Sequence, residues 1–240
     1  TVNRFCRSLE TRGFPDFKLH LAQSLAHGTL YVNRNVDEDD SVESYTGKIF
    51  ESAMASLDQV HHSLDMSAIN RAVDLLTQAK KIAFFGLGSS AAVAHDAMNK
   101  FFRFNVPVIY SDDIVLQRMS CMNCNDDDVV VIISHTGRTK SLVELAQLAR
   151  ENDAMVIAIT SPGTPLSRES TLAITLDVPE DTDIYMPMVS RLAQLTVIDV
   201  LATGFTLRRG AKFRDNLKRV KEALKESRFD KELSLHSNDQ

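Results

Sequence analysis

Tryptophan is absent, and three cysteines in 240 residues are too few for a disulfide framework, which agrees with a reducing compartment. Long apolar runs are also missing. Runs such as 129–133 fall far short of the roughly 18 residues that a membrane span needs, and no apolar segment follows a basic N-terminus. Collagen-like repeats and low-complexity tracts do not occur. What remains is ordinary globular composition, 44% hydrophobic and 25% charged, sized for one large domain or two small ones. The net charge of -5 argues against a nucleic-acid partner when it is averaged over the whole chain. The first residue is Thr1 rather than Met, however, so a fragment is expected whose charge describes only the part present.

The charge is uneven. Up to Gln23 the basic Arg4, Arg7, Arg12 and Lys18 outnumber Glu10 and Asp16, whereas Asp37, Glu38, Asp39 and Asp40 form an acidic run. The polar segment around that run reads as a solvated linker. Before it, Val2, Phe5, Cys6 and Leu9 recur at helical spacing, and Gly13 and Pro15 punctuate a second helix. After it, Ile49, Ala53, Leu57 and Val60 form one apolar helical stripe and Ile69, Val73 and Leu76 another.

From Lys81 onward, short β-rich runs at 82–85, 106–110, 129–133, 155–159 and 172–176 alternate with helical stretches at 91–102, 114–119 and 142–149. This alternation predicts an α/β fold, a doubly wound parallel sheet with helices on both faces. Two long helices, about 187–208 and 213–229, are expected to close it. Ligands of such a sheet bind beyond the carboxyl ends of the strands, so the loops there are where chemistry is sought.

Two of those loops stand out. Gly86-Leu87-Gly88-Ser89-Ser90-Ala91 leaves a strand and opens a helix, with glycines that allow close backbone approach and hydroxyls beside free N–H groups. Alone, it also fits a dinucleotide fingerprint, with Asp112 near the expected ribose position. Ser134-His135-Thr136-Gly137-Arg138-Thr139 repeats the arrangement after another strand. Helix capping alone would account for its hydroxyls. Two such loops at neighbouring strands suit a small phosphate monoester better than a dinucleotide.

These loops resemble the Gly-x-Gly-x-Ser entry and the Ser-x-Ser-Gly-x-Thr signature of SIS (sugar isomerase) domains over about 75–215. Thr136 replaces the second Ser and keeps its hydroxyl; Ser190-Arg191 and Asp199 resemble the family's late Ser-Arg and Asp. The resemblance implies a sheet of the SIS type and a phosphosugar site built from Gly88, Ser89, Ser90, Ser134, His135, Thr136, Gly137, Arg138 and Thr139. Arg138 would add a charge-assisted bond.

The N-terminal Thr1-Val2-Asn3-Arg4-Phe5-Cys6-Arg7-Ser8-Leu9, with Gly13-Phe14-Pro15-Asp16-Phe17, resembles the recognition helix and turn of the helix-turn-helix domain in RpiR-type regulators, which join such a domain to a SIS domain. The implied division is a helical DNA-binding remnant at 1–27, a linker at 28–42, the SIS domain with its lead-in helices at 43–232 and a tail at 233–240. Thr1, Asn3, Arg4 and Arg7 would face operator DNA.

On this resemblance the chain is a cytoplasmic, homodimeric or larger regulator, a repressor of hexose catabolism and not an enzyme. No cofactor and no metal are expected, and the effector is a phosphorylated sugar acid, foremost 2-keto-3-deoxy-6-phosphogluconate. A phosphosugar aldose-ketose isomerase, with His135 or Glu180 as base, stands as the alternative. Cys121 and Cys124, His61 and His62, and the turn 126–128 are read as structural or solvated. Phe101, Phe102 and Phe104 are read as helix packing or a dimer face.

Overall fold

The computed structural model describes Phe14 and residues 35–225. Thr1, Asn3, Arg4 and Arg7, expected to face DNA, lie outside the described residues, as do the tail expected at 233–240 and, Phe14 apart, the expected remnant at 1–27. The chain divides into two compact units, Thr1–His62 with Val178–Leu192, and Ser63–Asp177 with Ala193–Gln240. Among the described residues, no helix is long and apolar enough to cross a membrane.

The first unit contains helix α1, Val42–Ser63. Its entry is not merely solvated: Asp40 accepts from the Lys48 ammonium at 2.6 Å and from the Ser44 hydroxyl at 2.6 Å, and Asp37 also pairs with Lys48. Those bonds hold the Asp40 carboxyl down at about 2. The apolar stripe on α1 is only partly covered. Val60 is buried and Ala53 and Leu57 are half-buried, but Ile49 is exposed, as are Val42, Phe50 and Met54.

The second unit contains α2 (Met66–Gln78), β1 (Lys81–Gly86), α3 (Ser89–Phe101), β2 (Val108–Tyr110), α4 (Ile114–Met122), β3 (Asp128–Ser134), α5 (Lys140–Glu151), β4 (Met155–Thr160), α6 (Pro165–Glu169) and β5 (Leu172–Thr175). A short 3-10 turn, Phe102–Phe104, follows α3. All five strands are parallel in the order β2-β1-β3-β4-β5. Strand β3 sits in the middle and every residue of it is buried, which is why its sequence reads as a continuous β-branched run. Full burial of each such side chain contributes roughly 1.5–3 kcal/mol. Strand β2 is shorter than the run 106–110, because Pro107 lacks an N–H and leaves its carbonyl to Ile82.

Asp128 belongs to this core rather than to a solvated turn: it is buried at the start of β3, 2.7 Å from the Lys81 ammonium. Asp126 and Asp127 are exposed, as expected for the turn. Cys121 is buried and unpaired by any disulfide; burial pushes its thiol up to about 12, so it is a packing residue.

Helix α7 runs over Val189–Lys225, with a non-helical residue at Gly210 (φ 75°) that divides it where the sequence separates two helices. Phe205 before this break stacks with Phe104, Phe213 after it meets both rings edge-on, and Phe101 joins the cluster. Phe101 and Phe104 are therefore core, while Phe102 is exposed. His61 and His62 are also exposed, but they have a carboxylate at ligand spacing: ligand atoms of Asp58, His61 and His62 lie within 4.8 Å of one another. Nδ1 of His62 stands 2.8 Å from the Asp58 carbonyl oxygen and 3.4 Å from its carboxylate.

Candidate functional site

The strand order reverses direction between β1 and β3, so the helices that follow these two strands leave on opposite faces of the sheet. The carboxyl ends of the two strands then open a crevice between them. Gly86 pairs with Ile133 and Ser134 with Thr160 in the ladder, which places the loops after β1, β3 and β4 side by side. The two hydroxyl-bearing segments singled out above therefore meet at the switch point of the sheet.

In the β1 loop, Gly88 has φ 56° and ψ −128°, a conformation that residues with a Cβ rarely adopt. A Cβ on Gly86 would stand 2.6 Å from the Ser90 carbonyl oxygen, so the first turn of α3 packs directly on the strand end. Ser90 is buried and Ser89 half-buried. Among the described residues, neither hydroxyl has a hydrogen-bond partner.

The β3 loop is more tightly held. Ser134, buried, accepts from the Gly137 N–H at 3.2 Å. The Thr136 hydroxyl is 3.4 Å from the Arg138 N–H, and Gly137 has φ 56°. A Cβ on Gly137 would overlap the hydroxyl oxygens of Thr160 and Thr164. The segment after β4 takes up the loop's carbonyls: Ser161 donates its N–H to His135 O at 2.9 Å and Leu166 donates to Gly137 O at 3.1 Å. With those carbonyls turned toward β4, the loop's outer side is left to hydroxyls and to the first N–H groups of α5, which have no intrahelical acceptor.

Thr139 occupies the N-cap of α5 yet makes no side-chain capping bond, so capping does not account for it. Thr139 and Arg138 are exposed, and His135 and Thr136 half-buried. The arrangement offers hydroxyls, backbone donors, a helix N-terminus and one guanidinium, the chemistry of an anion site with phosphate-sized reach.

Glu180, the carboxylate alternative to His135 as a base, has another role. In the first unit it accepts from the N–H groups of Met188 (2.7 Å), Val189 (2.8 Å) and Ser190 (3.2 Å), closing the start of α7. Burial raises its pKa, but these bonds and one from the Ser190 hydroxyl outweigh that and leave it below the ordinary value. Such a carboxylate is a capping group and a poor proton acceptor. Ser190 is thereby buried beside it, Arg191 is exposed, and Asp199 pairs with Lys100 at 3.2 Å.

Sequence reasoning did not pick out Thr160 and Thr164, which back Gly137. Their signal lay in the Thr160-Ser161-Pro162-Gly163-Thr164 segment, another hydroxyl-rich loop after a strand.

The SIS domain model matches residues 75–204, just over half of the chain, and the helix-turn-helix model of the rpiR family matches residues 1–28. Fold and site thus define a SIS domain in a chain that also carries part of a helix-turn-helix module. The chain belongs to the helix-turn-helix transcriptional regulators of the rpiR type that carry a SIS domain, in the group of the relatives called HexR.

The HTH-type transcriptional regulator HexR of Escherichia coli (strain K12) is 90% identical over 239 residues, covering 100% of this chain and 83% of the relative. The HexR of Pseudomonas aeruginosa is 56% identical over 229 residues, covering 95% of this chain and 80% of the relative. Among solved structures, Vibrio vulnificus NanR complexed with ManNAc-6P superposes with a TM-score of 0.70 at 23% identity, covering 95% of this chain and 81% of that one. A phosphoheptose isomerase from Francisella tularensis reaches 0.58 at 19% identity, covering 69% and 98%. These two likenesses concern the fold, which regulators and isomerases share.

Proposed function

We propose that this chain is the sensing part of a cytoplasmic transcriptional repressor of hexose catabolism, which binds a sugar phosphate in the crevice between the β1 and β3 loops. The observation that carries the reading is the meeting of two glycine-shaped, hydroxyl-bearing loops at the switch point of the sheet. Ser90, Ser134, Thr136 and Thr139 contact the phosphate, helped by backbone donors around Gly88, Ser89 and Gly137. Arg138 supplies charge, and His135 orients the sugar. As effector we propose a phosphorylated intermediate of hexose catabolism, with 2-keto-3-deoxy-6-phosphogluconate as the first candidate.

In this reading residues 1–27 end a DNA-binding domain, with Thr1, Asn3, Arg4 and Arg7 toward the operator, 28–42 link it to the sensor at 43–232, and 233–240 form a tail. Effector binding changes the spacing of the two heads of a homodimer, on which operator affinity depends. The isomerase alternative loses support because the Glu180 carboxylate is committed to the start of α7, and the close relatives are named as regulators.

Calorimetry with a panel of sugar phosphates tests the site. Ser90→Ala or Ser134→Ala should weaken effector binding at least tenfold while the protein stays folded. Unchanged affinity in both variants would overturn the assignment, and specific turnover of an aldose or ketose phosphate would overturn the sensor reading.

A further inference from the structure

Gln117 is completely buried on α4, although its neighbours Leu116 and Arg118 are exposed. Its side-chain nitrogen donates to two main-chain carbonyls far apart in sequence, Ser111 O at 2.7 Å and Gly86 O at 3.3 Å. Ser111 follows β2 and Gly86 ends β1, so one amide clamps the exits of two adjacent strands at the carboxyl edge of the sheet. Gly86 in turn lies against the Ser90 carbonyl, so its position sets that of the first turn of α3.

The other end of the amide has no such use. Gln117 Oε1 is buried without a hydrogen-bond partner among the described residues. That orphan acceptor carries a desolvation cost that Met or Leu would avoid, so the side chain is poorly explained as packing. What the amide adds over an apolar side chain is its pair of N–H bonds.

We propose that Gln117 is a positioning residue for the candidate site, fixing the β1 loop through Gly86 so that Gly88 and Ser90 present their donors to a phosphate group. The proposal rests on the reading above that this loop receives phosphate, and its test keeps the two apart.

Gln117→Met retains length and apolar bulk and removes the donor; Gln117→Asn keeps the amide one methylene short. Cys121→Ala, one turn further along the same helix in a buried position, controls for loss of packing alone. Binding of inorganic phosphate and of 2-keto-3-deoxy-6-phosphogluconate is measured at a temperature where every variant is folded. Affinity should fall at least tenfold in Gln117→Met and be unchanged in Cys121→Ala.

Amide hydrogen exchange supplies the arm that needs no ligand. Exchange from Leu87 to Ala91 should rise several-fold in Gln117→Met and not in the control. Equal loss of affinity in Gln117→Met and Cys121→Ala, or unaltered exchange across the β1 loop in Gln117→Met and Gln117→Asn, would overturn the positioning role. If neither probe binds the unsubstituted protein while loop exchange still responds, the phosphate reading fails and the clamp on the β1 loop stands.

Discussion

The loops after β1 and β3 both carry glycines at positive φ, but they are shaped by different means. The β1 loop is shaped by glycine alone at Gly88, where nothing surrounds the position a Cβ would take. The β3 loop adds a scaffold: Gly137 combines a positive φ with Thr160 and Thr164 at its back, and the segment after β4 holds two of its carbonyls. One loop is conformationally selected and the other is also sterically enclosed. Substitutions should therefore cost more in the second than in the first.

The largest effect is expected for Gly137→Ala, which must both strain the backbone and displace two threonine hydroxyls. A loss of roughly 2–4 kcal/mol is predicted, read as a fall in Tm of roughly 4–16 °C for a chain of this size. Gly88→Ala meets only the backbone penalty, so about 1–3 kcal/mol is expected, and chemical denaturation of the two variants in parallel checks the ranking. Reversal of that order would mean that the β4 segment yields easily and does not enclose the β3 loop.

Thr139→Ala should change stability least, within about 0.5 kcal/mol, even though an N-cap threonine commonly contributes more, because its hydroxyl makes no capping bond. The same substitution should still weaken sugar-phosphate binding. A stability loss of a full kcal/mol with intact binding would show that Thr139 caps α5 after all.

The architecture could be read ahead of the structure wherever burial was uniform. Strands β1, β3 and β4 are packed on both faces, and their unbroken apolar runs announce them. The break at Gly210 was visible too, as a glycine between two helical stripes. Helix α1 was less legible: periodicity shows which face is apolar, but not how much of it is covered, and Ile49 lies exposed on that face.

At the site, the glycines and hydroxyls declared themselves by type and place. Partners distant in sequence did not. Glu180 looked like a free carboxylate until the N–H groups of Met188, Val189 and Ser190 folded back onto it. Gln117, polar within an apolar stretch, could not be assigned without the carbonyls of Gly86 and Ser111 beside it.

A second concavity makes the central claim sharply testable. The first unit holds a cavity of about 320 Å³ bordered by Ser52, Gln59, Glu180, Asp181 and Tyr185, with no Lys, Arg or His in its lining. That lining offers a phosphate no positive charge, in contrast to the β1 and β3 loops. The decisive measurement is a 15N-resolved NMR titration with 2-keto-3-deoxy-6-phosphogluconate. The account predicts saturable shifts centred on Gly88 to Ala91 and Thr136 to Ser141, abolished in Ser134→Ala. Saturable shifts confined to Ser52, Gln59 and Tyr185, persisting in Ser134→Ala, would contradict it.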